Sequence, residues 1–220
     1  MWRQYRTIEK GEFMLFAGDT ASGGGDNTTI QTISKNKIDC PLVYQSGVTT
    51  SDFIPELVRV LEAVFDLTGV KPVIALERNN GGSFLMDKVA GLNLNGKYIV
   101  FEMPKFGNVD NNDPNLLGWN TNSATRPVMI SALKDAVERQ LFKIYDKQTI
   151  NEMLSFVVVK TSSSWKAQAE KKAHDDLVMA LAIAWQMFQK CEPERKVRSD
   201  YSQYENYNQP QIYDNRGFLK

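Results

Sequence analysis

Residues 50–82, "TSDFIPELVRVLEAVFDLTGVKPVIALERNNGG", predict a helix followed by a buried strand. Ser51 or Asp52 can cap the helix, apolar residues then recur at helical spacing, and Gly69 ends it. The Val/Ile-rich run at 73–76 is typical of a parallel strand that is covered on both faces. This order of elements indicates an α/β fold.

The chain before this helix predicts three antiparallel strands. An apolar run occupies residues 12–18, and "NTTIQTISK" (27–35) and "CPLVYQSGV" (40–48) follow at hairpin distance. Together with the parallel run at 73–76, these strands predict a mixed β-sheet.

The chain after this strand continues to alternate helices and strands, so we expect a central mixed sheet flanked by helices. The further elements that the spacing predicts are a helix at 81–91, a strand at 96–105, an Asn/Asp-rich loop at 106–124, a helix at 125–140, a short strand at 142–146, a helical turn leading into a strand at 149–160, a polar loop at 161–172 and a helix at 174–190.

Length and composition indicate one globular domain with a tail. The chain has 220 residues, of which 42% are hydrophobic, enough to bury a core. We assign residues 1–192 to this domain and residues 193–220, which are polar with scattered tyrosines, to a flexible C-terminal tail. Cys40 and Cys191 lie far apart and near no second histidine, which argues against a zinc site and for reduced thiols.

Charge and hydropathy exclude several classes of protein. No apolar run reaches the roughly 18 residues that cross a bilayer, and the N-terminus lacks a secretory signal, so we expect a soluble protein that is not exported. Lys plus Arg equals Asp plus Glu at 26 each, so no overall positive field attracts nucleic acid. Any contact with DNA must come from local patches.

Two common catalytic arrangements are missing from the sequence. His174 is the only histidine and no Gly-x-Ser-x-Gly motif occurs, which argues against a serine or cysteine hydrolase. Gly18 and Gly23 have the spacing of a P-loop. However, the Lys and the Ser or Thr that this motif needs next are replaced by Gly24 and Gly25. Carboxylates are the remaining abundant reactive groups.

Two carboxylates directly follow predicted strands. Asp19 stands where the first apolar strand ends, before a Gly-rich turn, and Glu77 follows Leu76 at the end of the buried strand. Ligands of open α/β sheets bind beyond the carboxyl ends of strands, and a charge beside an apolar run is costly unless it is paired or metal-bound. Alternatively, Asp19 only starts a turn and Glu77 is a surface charge beside Arg78.

Two adjacent aspartates, Asp175 and Asp176, begin the last predicted helix. One aspartate is a common helix cap, but two in succession repel each other and project about 100° apart, so both cannot cap. A divalent cation removes that conflict. Helix phase places Asp176 about 100° and Asp175 about 160° from the centre of the buried face, which slightly favours Asp176 as the inward ligand. Both stay candidates because helix starts are uncertain by a residue or two.

Four stretches of the chain resemble, in this order, the C-terminal nuclease domain of the large terminase subunit, the DNA-packaging motor protein of tailed phages. The resemblance covers about residues 12–190 and implies an RNase H-like (RuvC-like) fold. The four stretches are "AGDTASGGGDNTTI" (17–30), "VIALERNNGG" (73–82), "LGWNTNSATRPVMISALKDAV" (117–137) and, as the most specific, "AHDDLVMALAIA" (173–184).

The resemblance implies a metal-dependent nuclease site. Hard divalent cations prefer oxygen ligands, and paired cations serve phosphodiester cleavage. Asp19 is the candidate for the ligand that both ions share, because it lies on the presumed central strand. The implied ligands of two Mg²⁺ or Mn²⁺ ions are Asp19, Glu77, Asp175 and Asp176, with Asp26 at an accessory acidic position.

The resemblance also implies partners and a location. Double-stranded DNA is the implied substrate, and an ATPase motor domain, a portal and a small terminase subunit are the implied protein partners, with no membrane involved. The host cytoplasm is the expected compartment. Because no Walker A lysine is present, the sequence looks like the nuclease part alone.

Several cationic residues are candidates for contacts with the DNA backbone, which carry no base information. Lysines in a polar loop are usually only solvated, however, and the histidine and arginine can equally be packing or capping neighbours. The candidates are Lys160, Lys166, Lys171, Lys172, Arg126 and His174.

The expected function is therefore a metal-dependent endonuclease that makes largely sequence-independent cuts in double-stranded DNA during viral genome packaging. Two alternatives stay open. One is a resolvase of the same fold class that cuts four-way junctions, and the other is a non-catalytic docking module of a packaging motor.

Overall fold

A computed structural model of the chain describes residues 1–20, 27–47, 50–79, 82–103, 117–160, 165–169 and 174–193. The strands are β1 (Trp2–Gln4), β2 (Met14–Asp19), β3 (Thr28–Ser34), β4 (Asp39–Cys40), β5 (Leu42–Ser46), β6 (Val73–Leu76), β7 (Ile99–Val100), β8 (Lys143–Ile144), β9 (Phe156–Lys160) and β10 (Trp165–Ala169). The helices are α1 (Thr50–Thr68), α2 (Gly82–Leu92), α3 (Thr125–Glu138), α4 (Lys147–Leu154) and α5 (Asp176–Lys190).

Among the described residues, the central sheet has eight strands, and its main path runs β1-β5-β3-β2-β6-β7. Strands β2, β3 and β5 pair antiparallel, as predicted for the three runs before α1. Strand β6 pairs parallel with β2, which confirms the parallel strand predicted behind the crossover helix. Strand β2 therefore lies at the centre of a mixed sheet, between an antiparallel and a parallel neighbour.

The two faces of the sheet are covered by different helices. Leu15 and Ala17 of β2 pack in one apolar cluster with residues of α3 and α5, whereas Met14 and Phe16 pack in a second cluster with residues of α1 and α2. Successive side chains of a strand point to opposite faces. Asp19 therefore continues the row that faces α5.

Helix α5 is the most deeply buried helix of the described chain. Its residues 177–187 are all buried, and it packs against β2, β3, α3 and α4. A helix that is apolar all round needs such cover on every side. Fully buried side chains such as Leu181 and Ile183 each contribute roughly 1.5–3 kcal/mol through removal from water. This burial fixes the start of α5 over the end of the central strand.

Several predicted boundaries were wrong. The polar loop expected at 161–172 contains β10, which pairs antiparallel with β9 in a separate two-stranded sheet. Trp165, Ala167 and Ala169 alternate with Lys166 and Gln168, but this run of five residues is short and lies within a longer polar stretch. The strand expected at 96–105 is limited to Ile99–Val100, and α5 begins at Asp176, two residues later than expected.

Strand β1 was not predicted from the sequence. It pairs antiparallel with β5, with Trp2 opposite Tyr44, and so extends the edge of the sheet. The two cysteines are free, as expected. Among the described residues, no helix has both the length and the apolar character needed to cross a membrane. The predicted tail begins at residue 193, and residues 194–220 lie outside the described ranges, so this boundary stays a prediction.

Candidate active site

Asp19 and Glu77 lie side by side at one edge of the sheet. Strands β2 and β6 are parallel, with Gly18 opposite Leu76. The next residues, Asp19 and Glu77, therefore lie at the same level along the two strands. The Glu77 amide donates a hydrogen bond to the Gly18 carbonyl at 2.7 Å. The side chains of Asp19 and Glu77 lie close enough for the charge of Glu77 to act on Asp19. Two carboxyl groups that lie 58 positions apart in the sequence are thus neighbours at this edge.

Glycines allow the close packing around this edge. A Cβ atom on Gly18 would lie 2.4 Å from Ile30 Cδ1 and 2.9 Å from the Thr29 carbonyl oxygen, closer than atoms can approach. A Cβ atom on Gly82, the first residue of α2, would lie 1.6 Å from the Glu77 carbonyl oxygen. The strand ends and the start of α2 can approach one another only because both positions lack a side chain.

The start of α5 is attached to the same edge from two sides. Thr29 is the partner of Asp19 across the β2–β3 ladder, and its hydroxyl donates to the carbonyl oxygen of Asp176 at 3.0 Å. Glu152 of α4 accepts a hydrogen bond from the Leu177 amide at 2.9 Å. These contacts hold the twin aspartates beside Asp19.

The twin aspartates have different surroundings. The Asp176 side chain is 17% exposed, and its Oδ2 lies 3.8 Å from Nδ1 of His174, whose ring is exposed. The Asp175 side chain is 29% exposed and accepts a hydrogen bond from Nη2 of Arg126 at 3.0 Å. Asp176 thus lies near His174, whereas Asp175 is paired with Arg126.

The carboxylates act strongly on one another. Burial, followed by the charge and hydrogen bond of Glu77 and the charges of Asp176 and Asp175, raises the pKa of Asp19 to about 9. Burial, followed by the charge of Asp176, raises the pKa of Glu152 to about 7. The site is thus a partly buried region of negative potential in which Asp19 holds its proton at neutral pH.

Three solved structures share this arrangement of strands and helices. The large terminase nuclease of thermophilic phage G20c with bound cobalt matches with a TM-score of 0.59 at 18% identity, over 83% of this chain and 89% of that one. With bound magnesium, the G20c nuclease matches with a TM-score of 0.58 at 20% identity, over 83% and 84%. The large terminase nuclease domain of Thermus phage P74-26 matches with a TM-score of 0.58 at 18% identity, over 86% and 85%.

This chain has the fold of a phage large terminase nuclease. The predicted α/β architecture, an RNase H-like mixed sheet flanked by helices, is thereby confirmed. The likeness extends to the fold, since all three identities are at or below 20%. No family model and no curated protein matches the sequence.

The donor chemistry of this terminase nuclease fold suits a hard divalent cation, since the groups that meet at the sheet edge are carboxylates. Within the described ranges, however, no three Asp, Glu, His or Cys side chains are grouped so that they could hold one metal ion. Asp26, the accessory acidic candidate, lies outside those ranges. The charges of three further carboxylates act on the buried Asp19 carboxyl. A bound cation would offset the repulsion among these groups.

The cationic candidates for DNA contact are only partly described. Arg126 of α3 and His174 each contact one of the twin aspartates at the start of α5. Lys160 and Lys166 lie on β9 and β10, where the backbone alone is described, and the predicted contacts of their side chains stay predictions. Lys171 and Lys172 lie outside the described residues.

Three residues at this site were missed in the sequence. Asn79 donates to Oε1 of Glu77 at 3.1 Å and to the Thr121 carbonyl at 2.6 Å, and so orients the glutamate. Thr29 could have been found from the strand period, which places it opposite Asp19. Glu152 carries no local signal, because only the packing of α4 on α5 brings it to the site.

Proposed function

We propose that this chain is a divalent-metal-dependent endonuclease that cleaves double-stranded DNA during phage genome packaging. The observation that carries the proposal is the meeting of Asp19, Glu77 and the start of α5 at the carboxyl edge of the central strands. Ligands of α/β sheets bind at such edges. The terminase nuclease fold supports the same function.

Asp19, Glu77 and the twin aspartates Asp175 and Asp176 would hold two Mg²⁺ or Mn²⁺ ions, with Asp26 as an accessory ligand. The cobalt and magnesium bound by the G20c nuclease support a requirement for divalent cations. When bound, two such ions supply Lewis acidity for the attack of water on the phosphodiester and for departure of the 3′ oxygen.

The residues of this chain would prepare that site in three ways. Asp19, protonated at neutral pH in the unliganded protein, gives up its proton when a cation binds. Asn79 holds the Glu77 carboxylate toward the site. Thr29 and Glu152 fix the first turn of α5 on the sheet. Each of these arrangements would lower the free-energy cost of ordering the metal ligands.

DNA would be held through its phosphates rather than its bases. The formal net charge of zero predicts weak affinity for DNA by this chain alone, with contacts from Arg126, His174 and the lysines at 160, 166, 171 and 172. Targeting would then depend on an ATPase motor domain, a portal and a small terminase subunit in the host cytoplasm. Cleavage would be largely independent of sequence.

Supercoiled plasmid gives a direct test. The parent chain with Mn²⁺ or Mg²⁺ should convert the plasmid to nicked and linear forms, and EDTA should stop the conversion. Asp19→Asn and Asp176→Asn should each lower the rate by at least about 100-fold, the scale of lost electrostatic stabilisation. Lys134→Ala, on the exposed face of α3, is the matched control. Equal cleavage by all four proteins would refute the site.

A further inference from the structure

The two adjacent aspartates at the start of α5 are held by different parts of the fold. Asp176 is bound through its carbonyl oxygen to Thr29 of the central sheet, whereas Asp175 is bound through its carboxylate to Arg126 of α3. We propose that Asp176 is the ligand that α5 supplies, and that Asp175 and Arg126 are a pair of positioning residues. This inference rests on the proposed metal-dependent function.

Asp175 does not play the usual role of an aspartate at the start of a helix. It occupies the N-cap of α5, where an aspartate side chain normally accepts a hydrogen bond from an amide of the first turn. Within the first turn of α5, all of which is described, its side chain makes no such capping hydrogen bond. Glu152 of α4 instead accepts from the Leu177 amide. The carboxylate of Asp175 thus accepts a hydrogen bond from Arg126 and not from the helix backbone.

Arg126 lies where an isolated arginine is unfavourable. It is the second residue of α3, and the N-terminal turn of a helix carries partial positive charge that disfavours a cation. Its Nε atom is buried and has no hydrogen-bond partner in the described structure. A carboxylate that accepts a hydrogen bond from Nη2 offsets the unfavourable charge at this helix N-terminus. Asp175 supplies that carboxylate.

The pair is better sheltered than a surface ion pair. Arg126 and Asp175 are 28% and 29% exposed, whereas Lys134 and Glu138, in the same helix α3, are 70% and 62% exposed. Water therefore screens the second pair more strongly than the first. The sheltered pair therefore fixes the angle at which α5 leaves the site, and with it the direction of Asp176.

A competing arrangement makes the opposite prediction for metal binding. If Asp175 were itself a metal ligand, Arg126 would compete with the cation for its carboxylate. Removing the arginine would then tighten metal binding. If the pair positions α5, removing the arginine loosens the helix start and weakens metal binding. The sign of the change in affinity separates the two.

The first experiment needs no metal. Amide hydrogen exchange at Met179, whose N–H donates to the Asp175 carbonyl in the first turn, is followed by NMR in EDTA. Arg126→Ala and Asp175→Ala should both speed exchange there, and Lys134→Ala should leave it unchanged. The double variant Arg126→Ala/Asp175→Ala should exchange no faster than either single variant, since the two residues act as a unit.

The second experiment titrates the whole chain with Mn²⁺ and follows the dissociation constant by electron paramagnetic resonance. Arg126→Ala should weaken binding about tenfold, the lower end of the effect of a residue that orients a ligand. Arg126→Lys should restore most of the affinity, because the pair uses one donor atom. Asp176→Asn should abolish binding, and Asp175→Asn, which keeps an acceptor for Arg126, should weaken it far less.

The outcomes distinguish the two levels of the proposal. Absence of Mn²⁺ binding by the parent chain would overturn the proposed function. Unchanged hydrogen exchange in Arg126→Ala, tighter Mn²⁺ binding in that variant, or equal losses in Asp175→Asn and Asp176→Asn would overturn the division of roles between the aspartates.

Discussion

At the scale of single residues, Asp19 is the most informative side chain. It continues an apolar row of β2, yet it carries a carboxyl group that other carboxylates surround. A buried carboxyl in such surroundings is stable only when it is protonated or bound to a cation. The cost to stability is what we expect of a residue retained for binding.

Asp19 makes the stability of the metal-free protein depend on pH. Its pKa of about 9 in the folded chain lies above its ordinary value of 3.8, so the folded state binds the proton more tightly than the unfolded state. The contribution to stability is fully present below pH 3.8 and is lost as pH rises to about 9.

We therefore expect the free energy of unfolding in EDTA to fall by up to about 1.4 kcal/mol per pH unit over this window through Asp19. Asp19→Asn should remove that slope and stabilise the metal-free protein at pH 8. Urea denaturation of both proteins between pH 5 and pH 9 measures the difference. Parallel curves for parent and variant would contradict the assignment.

Glu152 offers a second test at this scale. Its carboxylate caps the Leu177 amide, and burial and Asp176 raise its pKa to about 7, so its contribution to stability is lost as pH rises through 7. At pH 8, Glu152→Gln should keep the acceptor, remove the charge and be at least as stable as the parent. Glu152→Ala should lose about 1 kcal/mol. Equal denaturation midpoints for the two variants would show that the cap does not matter.

Sequence reasoning could locate Asp19 and Glu77 because the rule for strand ends is local. Each follows an apolar run directly, and parallel neighbours end at the same edge. Glu152 and the bond from Arg126 to Asp175 could not be found this way. They depend on how α4 and α3 pack on α5, and nothing in a local pattern encodes the rotation of one helix on another.

At the scale of elements, glycine determines how closely β2 approaches its neighbours. A Cβ atom on Gly18 would meet Ile30 Cδ1 at 2.4 Å and Leu76 Cδ2 at 2.7 Å, whereas one on Gly91, inside α2, would meet nothing within 4 Å. The two positions form a matched pair for the same substitution.

Gly18→Ala should destabilise the protein by about 1–3 kcal/mol through overpacking, and it should also weaken Mn²⁺ binding because β3 and β6 are forced apart. Gly91→Ala should stabilise the protein by roughly 0.5–1 kcal/mol, since alanine is the better helix former. Thermal unfolding and Mn²⁺ titration of both variants provide the readouts. A Gly18→Ala protein with parental stability and affinity would contradict the close packing.

Elements with a strong local period were predicted well, and those made by distant pairing were not. Strands β2, β3, β5 and β6 follow from apolar runs, and α1 and α5 from helical spacing. Strand β1 exists because Trp2 pairs with Tyr44, more than 40 residues away. In the β9–β10 hairpin, Lys166 and Gln168 of β10 pair with valines of β9, so the second strand carries a weaker hydrophobic signal than the first.

At the scale of the whole molecule, a buried ionic network ties the N-terminal segment to the sheet. Arg6 donates to both carboxylate oxygens of Glu12 and to both of Asp39. Those two acids are 2% and 3% exposed. Arg3 and Tyr5 bind Asp146, which in turn caps α4. This network links the edge of the sheet to the helix that carries Glu152.

Arg6→Met should leave two carboxylates buried without their cation. We expect a loss of roughly 3 kcal/mol in the free energy of unfolding, at the low end for a broken buried pair because Arg6 keeps 20% exposure. Arg139→Met, which removes the exposed pair with Asp135, is the control and should cost much less. Urea denaturation at pH 7 compares them, and similar losses would mean that the network does not hold the fold.

The proposed binding of divalent cations by Asp19, Glu77 and Asp176 takes place at the carboxyl edge of the central sheet. Anomalous diffraction from a crystal of the chain soaked in Mn²⁺ tests it most directly. We expect anomalous peaks within coordination distance of all three carboxylates. A soaked crystal with no peak there, or with peaks only at other sites, would contradict it.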